Sequence, residues 1–456
     1  MSARTIPRAA TDDRLIDRLL NPVHQFLRIE AAGGILLLGC TLVALVWANS
    51  PWAAGYEHFW HSDLTVSFGD RVFRMSLGHF VNDGLMAIFF FVVGLEIKRE
   101  LLVGELASLR KASVPIAAAI GGMLAPALIY VIVIAARGGH GYQGWAVPMA
   151  TDIAFALGVM AMLGRRVPLS LKVFLTALAI VDDIGAVIVI ALFYTSEISF
   201  LALGLATGMI VVSAVANRLG VRTPLVYAGI GLVMWLLLLQ SGVHATIGGV
   251  LLALTIPASM RIKGTKFSAF ARSMVDTFDE AGGHEKDILT NPRRQSAVGA
   301  LQQACEHVQT PLNRLEHGLH PWVAFTIMPI FALANAGINL GAGFGDAAGS
   351  GIGVGVALGL LLGKPLGVCL ATFIAVKAGL GPMPEGATWR MIIGTGFLAG
   401  IGFTMSLFIA NLGFGAAGEL QLAKTGILAG SLIAGVIGFV VLRAATIPPA
   451  GRASDS

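Results

Sequence analysis

Long apolar runs separated by short polar connections dominate the chain from about residue 31 to about residue 442. A helix of about 20 apolar residues crosses the hydrocarbon core of a bilayer, so each run of about that length predicts one membrane-spanning helix. We therefore predict an all-α polytopic membrane protein with about 12 transmembrane helices. The runs cover roughly residues 31–49, 79–97, 113–136, 143–163, 169–194, 199–217, 224–240, 244–257, 321–338, 352–376, 391–411 and 421–442.

The connection between the first two runs has the periodicity of a β-strand. Leu64, Val66 and Phe68 alternate with polar residues up to Gly69-Asp70, and the alternation resumes afterwards. Two alternating stretches around a two-residue turn are typical of a β-hairpin. We predict a small hairpin at residues 62–76, with an irregular loop as the alternative.

The composition excludes a soluble protein. Hydrophobic residues make up 56% of the 456 residues and charged residues only 12%, and the mean hydropathy is +0.79. A soluble domain carries about 25% charged residues. The net charge of +5 is too modest to indicate a nucleic-acid partner. Cys40, Cys305 and Cys369 lack the spacing of a zinc site or a disulfide framework, and no cofactor is predicted.

Basic residues mark one side of the membrane. Every second connection between the apolar runs is rich in basic residues, and these are Lys98, Arg99, Arg110, Lys111, Arg165, Arg166, Arg218, Arg222, Lys377 and Arg390. By the positive-inside rule that side is cytoplasmic, and the hairpin is then periplasmic. The prediction comprises a cytoplasmic N-terminal segment at 1–30, a transmembrane domain at 31–443 with a cytoplasmic loop at about 258–320, and a cytoplasmic tail at 444–456.

Two of the predicted spans are interrupted near their midpoints. In the fourth span, Pro148 precedes Thr151 and Asp152. In the eleventh, Gly400 and Gly402 interrupt the apolar run. Such interruptions free backbone polar groups, which a membrane helix tolerates only where protein or a water-filled cavity satisfies them.

The interrupted spans occupy corresponding positions in two stretches of the chain, residues 113–194 and 352–442. Paired interrupted spans of this kind indicate an inverted repeat with a binding site near the membrane midplane. We predict two discontinuous helices that cross at that depth. The alternative is that the glycines only allow close helix packing.

Four ionisable residues fall at about the same depth: Asp152, Asp182, Asp183 and Lys364. A charged side chain at the bilayer centre costs roughly 2.5–3.5 kcal/mol or more, so it marks a functional site by default. One lysine can pair with one aspartate but not with all three. The adjacent pair Asp182-Asp183 offers hard oxygen ligands for which a proton and Na⁺ or Li⁺ would compete, which suffices for antiport if the site opens to one side at a time.

The chain resembles the NhaA-type bacterial sodium/proton antiporters from about residue 20 to residue 443, and this family is itself an example of the rule on paired interrupted spans. The motifs that carry the resemblance, in order, are GLEIKRE (94–100), ATDIAFALG (150–158), LAIVDDIGA (178–186), SGVHAT (241–246), LEHGLHPWVA (315–324), LLGKPLG (361–367) and GIGFTMS (400–406). The resemblance implies a 12-span fold in the bacterial inner membrane. It also implies electrogenic exchange of cytoplasmic Na⁺ or Li⁺ for more than one proton, and a homodimer formed through the periplasmic hairpin.

The resemblance also implies roles for individual residues. Asp183 and Asp182 look like the pair that binds Na⁺ or Li⁺ and protons, and Lys364 resembles the lysine that pairs with Asp182. Asp152 and Thr151 resemble residues that compensate helix dipoles at the crossing. The residues similar to those of the ion funnel and the pH response are Asp83, Glu96, Lys98, Arg99, Glu100, His244, Glu316, His317 and His320.

Two departures from compact members of the family limit what carries over. The segment at 258–313 is longer, and about the first 20 residues are additional. Both adjoin or precede pH-linked regions, so the resemblance does not predict the pH range in which this protein is active. Structural readings of single residues also stay open, because Lys364 could serve only as an ion-pair partner and His317 and His320 could simply be solvated.

Three other function classes fit the sequence less well than antiport. Residues 343–346 read Gly-Phe-Gly-Asp, a motif of intramembrane aspartyl proteases, but Asp346 lies in a connection between spans. A passive channel needs rings of ligands from repeated subunits, whereas here the site lies within one chain. A proton-coupled carrier of an organic solute would need a larger cavity with a more varied polar lining.

Overall fold

The computed structural model describes residues 32–68, 71–195, 198–259, 264–282 and 291–446. The predicted N-terminal segment, the hairpin turn and most of the predicted C-terminal tail lie outside these residues.

The described residues are mostly helical. In chain order the helices are α1 (Ala32–Ala48), α2 (Ala53–His61), α3 (Leu77–Val103), α4 (Leu109–Ala136), α5 (Ile153–Met162), α6 (Leu169–Phe193), α7 (Phe200–Arg218), α8 (Pro224–Leu239), α9 (Ala245–Thr255), α10 (Gly264–Glu280), α11 (Pro292–Val308), α12 (Pro311–Asn335), α13 (Leu340–Gly349), α14 (Gly351–Lys377), α15 (Trp389–Ala399), α16 (Phe403–Gly413) and α17 (Ala417–Ala445). A 3-10 segment at Tyr142–Met149 precedes α5. Single π-helical segments lie within α3, α12 and α14 at Phe80–Leu85, Val323–Ile327 and Gly359–Gly363.

Among the described residues, eight helices are long and apolar enough to cross a membrane, or up to ten if each of two bent pairs counts as one span. The bent pairs are α1 with α2, at 114°, and α15 with α16, at 43°. The shorter helices α8 and α9 are also apolar. The expectation of a mostly helical protein with many membrane spans is confirmed, and the count of about 12 stays a prediction.

The predicted β-hairpin is present. Strand β1 (Asp63–Phe68) pairs antiparallel with β2 (Arg71–Ser76), from Asp63 opposite Ser76 to Phe68 opposite Arg71. This register leaves two residues for the turn, as the alternation of apolar and polar residues predicted. The hairpin leads directly into α3, so it marks one end of the helix bundle, hereafter the hairpin side.

The long connection after α9 contains two helices, α10 and α11. The guanidinium of Arg294 on α11 lies over the ring of Phe278 on α10, with 4.7 Å between Arg294 Cζ and the ring centroid. Helix α12 then begins at Pro311, rather than near residue 321 where the apolar run starts. Thr310 caps this helix by accepting a hydrogen bond from the Asn313 N–H at 3.2 Å, which stabilises its start. The first turns of α12 are therefore polar and precede its apolar part.

Close packing of α4 against α14 places the membrane lysine. A Cβ atom on Gly121 would collide with the carbonyl oxygen of Gly367, and one on Gly367 would collide with that of Gly121. Small residues at such contacts let membrane helices approach closely. Lys364 lies just one turn before Gly367 on α14, so this contact sets its distance from the other helices.

Candidate functional site

Two interrupted helical segments meet inside the bundle. The first break separates the 3-10 segment from α5 at Ala150–Asp152, and the second separates α15 from α16 at Gly400–Gly402. The Asp152 N–H donates to the Ile401 carbonyl oxygen at 2.6 Å. The breaks therefore contact each other through their freed backbone groups.

Asp152 connects the beginnings of two helices at this crossing. Its Oδ1 accepts a hydrogen bond from the Phe155 N–H at 3.1 Å, which caps α5. Its Oδ2 accepts one from the Thr404 N–H at 3.1 Å and another from the Thr404 hydroxyl, which satisfies the start of α16. A helix N-terminus carries about half a positive charge, so both of these helix ends place a favourable partial charge beside the buried carboxylate.

The second break needs glycines because neighbouring backbone and side-chain atoms lie very close to it. A Cβ atom on Gly400 would collide with the carbonyl oxygen of Leu360, and one on Gly402 would collide with Ser406 Oγ and lie 2.9 Å from the Ala150 carbonyl oxygen. Only glycine lets the crossing segments pack at this distance.

Asp182 of α6 and Lys364 of α14 form a buried ion pair. Lys364 is 0% and Asp182 2% exposed, and the Lys364 ammonium donates a hydrogen bond to Asp182 Oδ2. The Thr151 hydroxyl lies 2.7 Å from that same oxygen and 2.8 Å from the Ala399 carbonyl oxygen. Asp182 Oδ1 is buried and has no hydrogen-bond partner within the described residues.

Asp183, the neighbour of Asp182, forms no ion pair within the part of the chain that the structure describes. It is buried, with 4% exposure, and its carboxylate accepts no hydrogen bond from any residue that the structure describes. Asp182, Glu96, Asp152 and Lys364 lie within electrostatic reach of it, so carboxylates outnumber the lysine. Uncompensated carboxylate oxygens in an apolar bundle are suited to hold a small cation or a proton.

A second group of candidate residues gathers at the end of the bundle opposite the hairpin. Arg99 of α3 forms ion pairs with Glu316 of α12 and, at 3.0 Å, with Glu100. Glu96 lies within electrostatic reach of the same three residues. We call Glu96, Arg99, Glu100 and Glu316 the acidic-arginine cluster.

Three residues predicted to act with this cluster differ in their contacts. Lys98 donates from Nζ to the carbonyl oxygens of Leu254, at 2.7 Å, and Ile256, so it caps the end of α9. His317 Nδ1 lies 2.8 Å from the Asn313 carbonyl oxygen of its own helix. His320 is within electrostatic reach of Glu316 and Arg99.

The remaining two candidates lie on the hairpin side. Asp83 Oδ2 accepts from His79 Nε2 at 2.8 Å, one turn earlier on α3. His244, at the start of α9, has its Nε2 2.7 Å from the Tyr194 carbonyl oxygen at the end of α6. The Tyr194 hydroxyl donates to the Gln143 carbonyl oxygen at 2.7 Å.

Sequence reasoning missed two residues that shape the crossing. Thr404 supplies the two hydrogen bonds to Asp152, and its position in the GIGFTMS motif was the only available signal. Ser431 of α17 accepts a hydrogen bond from the Phe403 N–H at 3.2 Å. No pattern in the sequence singles out Ser431, because it caps α16 from a different helix.

Interrupted helices that meet at buried, partly uncompensated carboxylates define a membrane carrier for a small cation. The chain matches the family model described as Na+/H+ antiporter 1 over residues 24–442. It therefore belongs to that family of transporters and is not an enzyme.

Similar proteins cover nearly the whole chain. The Na(+)/H(+) antiporter NhaA of Oleidesulfovibrio alaskensis is 50% identical over 444 residues, which is 97% of this chain and 98% of that protein. The Na(+)/H(+) antiporter NhaA of Koribacter versatilis is 49% identical over 427 residues, 94% of this chain and 92% of that protein. The Na(+)/H(+) antiporter NhaA of Rhodopirellula baltica is 46% identical and covers 94% of both chains.

Proposed function

We propose that this protein is an electrogenic, pH-regulated antiporter that extrudes Na⁺ or Li⁺ from the cytoplasm in exchange for protons by alternating access. The observation that carries the proposal is the uncompensated Asp183 carboxylate beside the half-satisfied Asp182, where two interrupted helices meet. Family membership and the names of the relatives support the same exchange. The ions are substrates, and no cofactor takes part.

The exchange follows from competition at the two carboxylates. A cation entering from the cytoplasm binds the Asp183 carboxylate, and it gains Asp182 as a second ligand when Lys364 releases Oδ2. Protons that arrive from the other side occupy the same oxygens and expel the cation. Two carboxylates can return two protons for one monovalent cation, so each cycle moves net charge.

The surrounding architecture belongs to the same proposal. We infer 12 spans, with inverted repeats at about 113–194 and 352–442 whose interrupted helices cross at the membrane midplane. The order of a long helix, an interrupted segment and a long helix recurs in both stretches, as α4 to α6 and as α14 to α17. The protein lies in the bacterial inner membrane with both termini in the cytoplasm and the hairpin in the periplasm.

Regulation by pH is assigned to the acidic-arginine cluster, together with His244, His317, His320 and Lys98. The ion pair of Arg99 with Glu316 joins α3 to α12, so a change of protonation within the cluster alters the contact between these helices. Asp83 lines the ion path on the hairpin side, and a homodimer forms through the hairpin.

The test is transport in inverted membrane vesicles with a fluorescent dye that reports the pH gradient. Na⁺ or Li⁺ should dissipate the gradient in the parent protein, and K⁺ should not. Asp183→Asn should abolish the response, whereas Asp346→Asn, a matched change on the exposed surface of α13, should leave it intact. Robust exchange by the Asp183→Asn variant would contradict the mechanism.

A further inference from the structure

The helices divide into two groups by their packing. The site-bearing group pairs α4 with α14, α14 and α15 with α17, and α4 with α6. In the second group, α3 packs against α9, α7 packs against α8, and α12 packs mainly against α1 and α3. Alternating access in such transporters is largely the motion of one rigid group against another, so a bond between the groups restricts that motion.

Three asparagine side chains form one hydrogen-bonded chain across this boundary. Asn335, the last residue of α12, donates from Nδ2 to Asn82 Oδ1 of α3 at 2.8 Å. Asn411 of α16 donates from Nδ2 to Asn335 Oδ1 at 2.8 Å. The first bond lies within the second group of helices, and the other joins that group to the site-bearing group.

The side-chain N–H groups of Asn335 and Asn411 are all engaged. The second N–H of Asn335 donates to the Phe331 carbonyl oxygen at 3.0 Å, and that of Asn411 to the Leu407 carbonyl oxygen at 2.8 Å. Asn335 is only 4% exposed. A buried amide without partners is costly, so separating Asn411 from Asn335 requires water or another polar group to replace the bond.

The position of the bond connects it to the ion site. Asn411 lies on α16 about two turns beyond Phe403, roughly 12 Å along the helix axis from the capped crossing. It is on the hairpin side of that crossing, because Asn82 is near the start of α3. His244 of α9 contacts the Tyr194 carbonyl oxygen across the same boundary and on the same side.

We propose that the Asn335–Asn411 hydrogen bond is a latch that closes the hairpin side of the ion path and must open in every transport cycle. The inference rests on the proposed exchange by alternating access. Asn335 and Asn411 are positioning residues in this account, since neither touches Asp182 or Asp183. The chain of amides holds α16, which carries the broken-helix N-terminus, against α12 while the site is reached from the opposite side.

Cross-linking tests the latch directly. In the full-length protein with Cys40, Cys305 and Cys369 replaced by serine, Asn335→Cys and Asn411→Cys are joined with a short, reducible bifunctional thiol reagent, and exchange is measured in proteoliposomes. Quantitative cross-linking should lower the Na⁺/H⁺ exchange rate at least tenfold, and reduction should restore it. The matched control joins Asn82→Cys to Asn335→Cys within one group of helices, and cross-linking should leave its exchange rate equal to that of the same variant before cross-linking.

Undiminished exchange across a complete 335–411 cross-link would overturn the latch. Exchange absent from the parent protein before cross-linking would instead overturn the proposed transport and the latch with it.

A second measurement covers the case in which the double variant does not fold. Asn411→Ala should lower the apparent KM for Na⁺ on the hairpin side and raise it on the other side, each several-fold, because it favours the state open to the hairpin side. If the KM of the Asn411→Ala variant equalled that of the parent on each side of the membrane, the proposal would also be overturned.

Discussion

Lys364 and Asp182 form a fully buried ion pair in which the lysine engages one carboxylate oxygen and leaves the other, Oδ1, without a partner among the described residues. The pair is therefore held by a single oxygen that Thr151 also contacts. Such a pair can open without losing every contact of Asp182, which fits a residue that exchanges a lysine for a cation.

Replacing the lysine should destabilise the protein strongly. Lys364→Ala leaves Asp182 buried without its cation, and breaking a buried pair from one side costs about 3–5 kcal/mol. Thermal unfolding in detergent should therefore shift well below the parent, whereas Lys377→Ala at the exposed end of the same helix should change it little. Combining Lys364→Met with Asp182→Asn should restore much of the loss, because no unpaired charge then remains. An unchanged unfolding midpoint in Lys364→Ala would contradict the buried pair.

The double capping role of Asp152 gives a second expectation. Asp152→Ala removes the acceptor for the N–H groups of Phe155 and Thr404, and a hydrogen bond to a charged group contributes about 1.5–3 kcal/mol. The variant should unfold at lower denaturant concentration and transport more slowly. Asp152→Asn retains an acceptor oxygen but loses the charge that faces two helix ends, so it should fall between the parent and the alanine variant. An asparagine variant less stable than the alanine variant would argue against compensation of the helix ends.

The sequence predicted that the charged residues of the site share one level of the helix bundle, but it did not predict their contacts. Asp152, Asp182, Asp183 and Lys364 could be placed at one level because the bilayer fixes the length of a span and penalises each buried charge. The hairpin could be placed because its alternation brackets a two-residue turn. The first inference depends on the known thickness of the bilayer, and the second depends on a local sequence pattern.

The missed contacts depend on which helices meet. Ser431 caps α16 from α17, and Asn411 reaches Asn335 across 76 residues of sequence. An isolated serine or asparagine in an apolar run carries no signal about its partner. The early start of α12 was missed for a different reason. The apolar pattern defines only the lipid-crossing part, and the helix begins with polar residues at Pro311, before that pattern starts.

The acidic-arginine cluster makes a testable contribution to stability. Glu316 is 4% exposed and its Oε1 pairs with Arg99, so Arg99→Ala leaves a buried carboxylate without its charged donor. Because Arg99 itself is partly exposed, the expected cost is modest, about 1–2 kcal/mol. Thermal unfolding measures it, with Arg110→Ala on the exposed start of α4 as the control. Restoration by Glu316→Gln in the Arg99→Ala background would identify the unpaired carboxylate as the cause, and failure of that rescue would refute it.

The proposed dimer through the hairpin can be separated from transport. Replacing residues 63–76 with a short Gly-Ser linker removes both paired strands but none of the residues at the helix crossing. We expect the shortened protein to be monomeric by light scattering in mild detergent and to retain Na⁺/H⁺ exchange in proteoliposomes. A control that only exchanges Gly69-Asp70 for Asn-Gly preserves a two-residue turn and should remain dimeric. A shortened protein that stays dimeric would place the interface elsewhere.

The contact between Gly121 and Gly367 should be essential to the position of Lys364. Gly367→Ala adds a methyl group where the Gly121 carbonyl oxygen already lies, and such overpacking costs about 1–3 kcal/mol. Because Lys364 is one turn away, the shift of α14 should also weaken its bond to Asp182 and slow exchange more than the stability loss alone explains. Gly204→Ala on α7 meets no atom within 4 Å, so it should be neutral or stabilise by up to about 1 kcal/mol through helix propensity. Unfolding and exchange measured together decide the matter, since equal behaviour of the two alanine variants would show that the close approach of α4 and α14 does not hold the lysine in place.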